Sequence, residues 1–459
     1  MSKVILGSND EFPVIKKVNT SSLSVTPSTS AQSISAPVGS GFCPVYVSAV
    51  TPSIDKNIKA ENIKKGVAIL GVLGEFEGGA DIGLPREVVE GKLQFPESSF
   101  AFELPSTATD ITEGGLNRAF DTCLSLTSVN LSSLTTVSGT QALSHAFYQC
   151  PIANSIDLSN LTTVSGSSAF NNAFGRCTSI TSVDLSSLTT ISGTQAFYQA
   201  FTGCTSLTSV DLSNLTVASG NSSLEYIFYN CSALTSIDLS SLTTIGAYTL
   251  EYAFNKCTAL VSADLSSLTE VSSFMAMGST FSGCTSLTSV NLSSLTTVSG
   301  SSGMSNVFNG CTSLTSIDLS SLTTVSGSMS GAFNNCTSLT SVDLSNLTTI
   351  SSSSGMNSIF KNCRLTSMSF PKLSVLSNSY ALRYAFQNCT PLTSVSFPAL
   401  TSTSFSSYKN QFNGMLSGVT GCTVHFPSNL QSVIGSWTDV TGGFGGTNTT
   451  VLFDLPATT

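Results

Sequence analysis

Positive charge is scarce in this chain and unevenly spread. Nine of its seventeen lysines and arginines lie within residues 1–92, and from Cys177 to Phe360 there is one, Lys256, against nine aspartates and glutamates. Nucleic-acid backbones call for a basic stripe that displaces counterions, so no nucleic-acid partner is expected. Histidine is rarer still: His145 and His425 are the two in the chain, far apart in sequence. There is no nucleophile elbow, phosphate-cradling loop or metal motif, and no Cys-x-x-Cys pair to found a zinc set. Catalysis has little to stand on, so an enzyme is not expected and neither a cofactor nor a metal is implied. Long apolar runs are missing too. The longest near-apolar stretch, Gly66 to Gly74, has nine residues, too few to cross a bilayer, and membrane insertion is not expected. The opening MSKVILGSNDEFPV turns polar after three consecutive apolar residues and does not read as a secretory signal.

What is present is periodic. Charged residues are only 9% of the chain, yet 41% is apolar, enough for an extended core rather than wholesale disorder. Cysteines recur at 123, 150, 177, 204, 231, 257, 284, 311, 336, 363 and 389; nine of the ten gaps are 26 or 27 residues and one is 25. Each has a phenylalanine three places before it, from Phe120 through Phe147, Phe174 and Phe201 to Phe386. A fixed period of this size signals stacked, equivalent coils.

Within a coil two patterns alternate. Apolar residues stand 7, 4, 3 and 0 places before the cysteine, as in Phe170, Ala173, Phe174 and Cys177, a spacing that predicts a short amphipathic helix of about two turns. After the cysteine the pattern becomes strand-like, as in Leu314, Ile317, Leu319 and Leu322, with inward and outward positions alternating. A further apolar residue fourteen places on (Val137, Val164, Ile191, Val325) marks a second extended piece. No single coil buries these side chains alone. Burial of roughly 1.5–3 kcal/mol per large side chain faces about 1–2 kcal/mol of backbone entropy per residue, and stacking closes the gap. At about 4.8 Å between strands, such an array would run on the order of 50–60 Å. Ala101 to Pro105 followed by Ile111 reads as a first half-coil, and the period weakens after Pro398, where Cys422 arrives 33 residues after Cys389.

The unit Ala332-Phe333-Asn334-Asn335-Cys336, continuing through Leu339, Val342 and Leu344, resembles the BspA-like leucine-rich repeat family over roughly residues 100–400. That resemblance implies an α/β right-handed solenoid, with a short strand and a short helix per coil of about 27 residues, and a role in adhesion. The chain departs from the family by placing Ser-Ser-Leu or Ser-Asn-Leu where many members have a proline after the strand; Pro371 and Pro398 restore it in the last units. The segments Val45-Tyr46-Val47, Ile54-Asp55-Lys56-Asn57-Ile58 and Asn62 to Val72 resemble a small, mainly-β module of gut bacteriophage tail-fibre and structural proteins. Four regions are expected: an anchoring module at 1–80, a linker and cap half-coil at 81–118, the solenoid at 119–400, and a C-terminal cap at 401–459.

Three groups of residues are candidates for function. The cysteines, among them Cys123, Cys150, Cys177, Cys204 and Cys231, read as buried core. Equivalent Cβ atoms about 4.8 Å apart exceed the span of about 3.5–4.5 Å that a disulfide prefers. The outward strand position carries Asp157, Asp184, Asp211, Asp238, Asp264, Asp318 and Asp343, with Asn130 and Asn291 in the same row. This ladder reads either as a solubility device or as a ligand face gripping sugar hydroxyls, with calcium a third reading that lacks the expected glycine-bearing loop. Tyr198, Tyr226 and Tyr252 offer exposed aromatic surface suited to sugars or proteins. The expected function is non-enzymatic binding and display: a virion appendage such as a tail fibre, bound to other virion proteins through residues 1–80 and meeting a host-surface protein or polysaccharide. A bacterial cell-surface adhesin and a purely structural spacer are the alternatives, and homo-oligomerisation is open.

Overall fold

A computed structural model describes residues 14–17, 32–34, 45–47, 100–104, 108–112, 115–123, 126–152, 156–404, 411–434 and 443–457. Most of the expected N-terminal module and of the linker that follows lies outside the described residues. The chain forms two compact units, Met1–Leu212 and Ser213–Thr459.

In the first unit, alternation of inward and outward residues after each cysteine produces a row of short parallel strands: Phe100–Glu103, Leu126–Asn130, Ile156–Asp157, Ser182–Asp184 and Ser209–Asp211. Register is strict, with Val183 opposite Val210 and Asp184 opposite Asp211. At the start of the row Phe100–Glu103 pairs parallel with the next strand, and Leu104 and Ile111 are buried. On its other side lies the antiparallel strand Val14–Lys17, which becomes the outermost strand of the row. A second row, Thr136–Val137, Thr163–Val164 and Thr190–Ile191, is also parallel and in register.

The second unit repeats the plan. Its first-strand row includes Ser236–Asp238, Ser262–Asp264 and Ser289–Asn291, then Ser316–Asp318 with Ser341–Asp343. Its second row runs from Glu270–Val271 through Thr297–Val298, Thr324–Val325 and Thr349–Ile350 to Val375–Leu376. The strand row continues past residue 400: Ser394–Ser396 pairs with Thr423–Pro427, and that strand with Thr450–Leu455.

The expected helix is absent, and this is the main correction to the sequence reading. The segment before each cysteine is a chain of turns in which every fourth residue takes a left-handed conformation: Gln141, His145 and Gln149 before Cys150, and Tyr248, Tyr252 and Lys256 before Cys257, with φ between 53° and 62°. Backbone donors alternate. Leu143, His145 and Phe147 give their N–H groups to carbonyls of the next coil, while Ser144, Ala146 and Tyr148 bond three residues back. An α-helix would satisfy its hydrogen bonds within itself; these segments share half of theirs along the stack. The true period is therefore four rather than 3.6, and apolar residues at 7, 4, 3 and 0 before the cysteine satisfy both. A fifth buried position, eight before the cysteine, completes the period-four pattern with small residues: Ala142, Ala169, Ala196, Ser223, Thr249 and Ala276.

Phenyl rings form continuous columns inside each unit. In the first, Phe120, Phe147, Phe174 and Phe201 stack with centroids 5.2–5.5 Å apart. In the second, the column from Phe228 through Phe254, Phe281, Phe308, Phe333 and Phe360 to Phe386 keeps 5.3–5.6 Å. Offset stacking at this separation adds to burial.

Candidate binding surfaces

The thiols point inward and are occupied. Cys123, Cys150, Cys177, Cys204, Cys231 and the other described cysteines are buried and form no disulfide. Cys150, Cys177 and Cys204 each donate their S–H to the carbonyl of Phe120, Phe147 and Phe174 in the preceding coil, at 2.9, 3.0 and 3.2 Å. Cys257 through Cys389 repeat the contact in the second unit at 2.9–3.2 Å. Burial pushes the Cys204, Cys257, Cys336 and Cys389 thiols up to about 12. For Cys177, Cys284 and Cys311, burial and then the neighbouring thiol in the column push further in the same direction. A thiol that cannot ionise is no nucleophile.

At eight positions of the acidic row the side chain closes the turn that follows it. Asp157 Oδ1 accepts from the N–H of Ser159 at 3.0 Å and from its hydroxyl at 2.7 Å. Asp184, Asp238, Asp264, Asp318 and Asp343 accept the N–H two residues on at 2.8–3.0 Å. Asn130 and Asn291 do the same at 3.0 and 3.2 Å. This is the turn that aspartate and asparagine side chains build with their own backbone, and it explains why either fits the row. Hydrogen bonds from Ser320, hydroxyl first and backbone second, hold the Asp318 carboxyl below the usual carboxylate range. Asp211 lies in register beside Asp184.

Threonine supplies a structural row that the sequence reading missed. The hydroxyls of Thr162 and Thr189 donate to the carbonyls of Thr135 and Thr162 one coil back, at 3.0 and 3.2 Å. Thr296, Thr323 and Thr348 continue the pattern in the second unit at 3.0–3.1 Å. The signal was the threonine that follows a leucine at 135, 162, 189, 216, 243, 269, 296, 323 and 348.

The three tyrosines, expected to be exposed, are all half-buried, Tyr198 in the first unit. In the second unit Tyr226 and Tyr252 are brought together, their rings stacked at 4.8 Å and 7°. Beside them are Glu225 and Glu251, which the sequence reading did not single out although both sit in the same tripeptide, Leu-Glu-Tyr, 26 residues apart. Burial, and then the charge of Glu225, push the Glu251 carboxyl up to about 7.

The two histidines lie in different units. Burial, and then Arg118, lower His145. His425 Nδ1 stands 3.0 Å from both carboxylate oxygens of Asp454 on the next strand, and Ser396 is its partner on the preceding one. Ser396 gives its hydroxyl to Ser369 at 2.8 Å instead, so the three do not form a proton relay. Among the described residues no three His, Cys, Asp or Glu side chains gather as metal ligands, and no helix is long and apolar enough to cross a membrane.

A comparison with curated proteins found no match. Among solved structures, a leucine-rich repeat protein from Bacteroides ovatus is 20% identical, with a TM-score of 0.37, covering 78% of this chain and 96% of its own. A leucine-rich repeat protein of T. pallidum is 20% identical, with a TM-score of 0.23, over 42% of this chain and 75% of its own. A leucine rich cell surface protein from Faecalibacterium prausnitzii is also 20% identical, with a TM-score of 0.23, over 53% and 78%. The model of the BspA type leucine rich repeat region matches residues 98–199, 171–302, 277–382 and 305–433. Those matches span well over half of the sequence, on the same coils that carry the cysteine, phenylalanine and aspartate rows, and the chain belongs to the BspA-type leucine-rich repeat family.

Proposed function

We propose that the chain is a non-enzymatic binding and display protein whose strand rows meet a host-surface protein or polysaccharide. The contacts assigned to ligand are Asp157, Asp184 and Asp211 in the first unit and Asp238, Asp264, Asp318 and Asp343 in the second, with Tyr198, Tyr226 and Tyr252 on the turn segments. The observation that supports this is repetition in register: equivalent carboxylates recur on adjacent strands, as at Asp157, Asp184 and Asp211. At Asp157 both internal bonds fall on Oδ1, which leaves Oδ2 to accept from a ligand hydroxyl. Many equal, weak acceptors suit a polymeric ligand, because contacts after the first are made at high effective concentration. The thiols, buried and protonated, contribute structure rather than chemistry, and the family supplies binding scaffolds rather than catalysts.

In this reading residues 1–80 anchor the chain in a larger assembly, a virion appendage such as a phage tail fibre. Membership of the BspA-type family favours a second setting, a bacterial cell-surface adhesin. Immunogold labelling of purified particles and of cell envelopes separates the two.

Binding of the full chain to a glycan array and to immobilised host-surface proteins, repeated with Asp157, Asp184 and Asp211 changed to Asn, tests the ligand face. Asparagine keeps the turn, as Asn130 shows, and removes the charge. Loss of binding with unchanged melting supports the proposal. Equal binding by both forms puts the ligand site away from the ladder, and binding by neither points to a spacer whose ladder serves only its turns.

A further inference from the structure

Two successive coils of the second unit carry Leu224-Glu225-Tyr226 and Leu250-Glu251-Tyr252 on their turn segments, and stacking superposes them. The Tyr226 ring lies flat on Tyr252, 4.8 Å away, and the Tyr226 N–H donates to the Glu251 carbonyl. The two glutamates are therefore neighbours in adjacent coils, on a surface separate from the strand ladder.

Their environments differ. Glu225 is half-buried and held by the Ser222 hydroxyl. Glu251 is only 6% exposed, and where a hydroxyl steadies Glu225 it meets the charge of Glu225 instead. The following coil offers Gly278 and Ser279 here, without charge and, at Gly278, without a side chain; a Cβ there would stand 3.6 Å from Glu251 Cγ. Tyr229 meets Tyr226 edge-on at 5.7 Å. Phe274, 44% exposed, packs against Tyr248 at 5.1 Å. The nearby cation, Lys256, is engaged elsewhere: its Nζ lies 3.0 Å from the Tyr229 hydroxyl and 5.4 Å from that ring's centroid.

A desolvated carboxylate beside a second one is costly unless a positive partner arrives. Lys256 on Tyr229 shows that an alkylammonium packs well against this kind of ring. A divalent ion is less suited, since no three ligating side chains converge among the described residues. A neutral sugar brings no cation to meet the two carboxylates, whereas a polypeptide can. We propose that the tyrosine-flanked pair Glu225 and Glu251 is a docking site for a lysine side chain of a protein partner, its ammonium between the carboxylates and its stem along the Tyr226–Tyr252 stack.

The test is fluorescence anisotropy with the full chain and a labelled peptide bearing one lysine flanked by leucines, alongside the same peptide acetylated on that lysine and a chitosan oligomer. The unmodified peptide binds and the acetylated one does not. Glu251→Gln weakens binding at least tenfold, and Glu225→Gln, at the more exposed position, does so without disturbing the buried one. Binding tightens from pH 6 to pH 8 as Glu251 gives up its proton. Failure of the peptide to bind, equal binding of the acetylated peptide, indifference to both substitutions, or binding of chitosan alone would each overturn the assignment.

Discussion

Cys177 gives its thiol hydrogen to the carbonyl oxygen of Phe147 in the preceding coil, at 3.0 Å, and that oxygen also accepts the backbone N–H of Cys150. One phenylalanine carbonyl thus ties its own turn to the next coil, and the arrangement recurs along both units. Serine would be a stronger donor but a poorer hydrophobe, and alanine would fill part of the space without donating. Cysteine does both.

Replacing Cys204 separates these roles. Cys204→Ala loses the donor to Phe174 and leaves a small void, and should lower stability by about 1–3 kcal/mol. Urea titration followed by circular dichroism measures it. No change on substitution would mean that the contact is incidental.

The phenyl column makes a larger demand. Phe254 lies between Phe228 and Phe281 at 5.6 and 5.5 Å. Phe254→Ala should cost about 3–5 kcal/mol, and Phe254→Leu should recover most of this apart from roughly 0.5–1.5 kcal/mol of ring stacking. The same titration reads both.

The turn segments predict an unusual preference at exposed positions. Asn230 has φ of 59° and donates its N–H to Asn255 in the next coil. Asn230→Gly should be neutral or mildly stabilising, whereas Asn230→Val should lower stability by about 1–2 kcal/mol. A helix would give the reverse order of glycine and valine, so differential scanning calorimetry on the pair also tests the left-handed turn at this position.

Two carboxylates respond to pH in opposite senses. Asp318 is held below its ordinary 3.8, so its contribution is present above about that pH and fades as acid takes the pH down through its lower native value. Glu251 is raised from 4.5 to about 7, so the folded chain loses stability as pH rises from 4.5 to about 7 and is level beyond. Glu251→Gln should flatten that slope in melts run from pH 4 to pH 8.

The repeat was readable in the sequence because each row performs one physical task, and eleven cysteines doing the same task print a period. The strands were readable for the same reason: Val183 and Asp184 must face opposite ways. The turn segment was misread because 7, 4, 3 and 0 fit a helix as well as a period of four. Two signals could have separated them, the small residues at Ala142, Ala169 and Ala196, and the asparagines and glycines before the cysteines, such as Asn230 and Gly203, where φ is positive. The aspartate row was legible as outward, but its turn-closing role needed coordinates, since it depends on the direction of one backbone N–H. Glu251 escaped notice because a lone glutamate among many polar residues shows nothing of its burial.

Everything rests on coils that stack in register with their sulfurs sealed inside. Alkylation of the full native chain with iodoacetamide at pH 8.5, read cysteine by cysteine by peptide mass spectrometry, tests this directly. Cys150 through Cys389 should stay unmodified until denaturant is added and then all react. Ready modification of these residues in the native chain, or their recovery as disulfide-linked peptides, would contradict the stack.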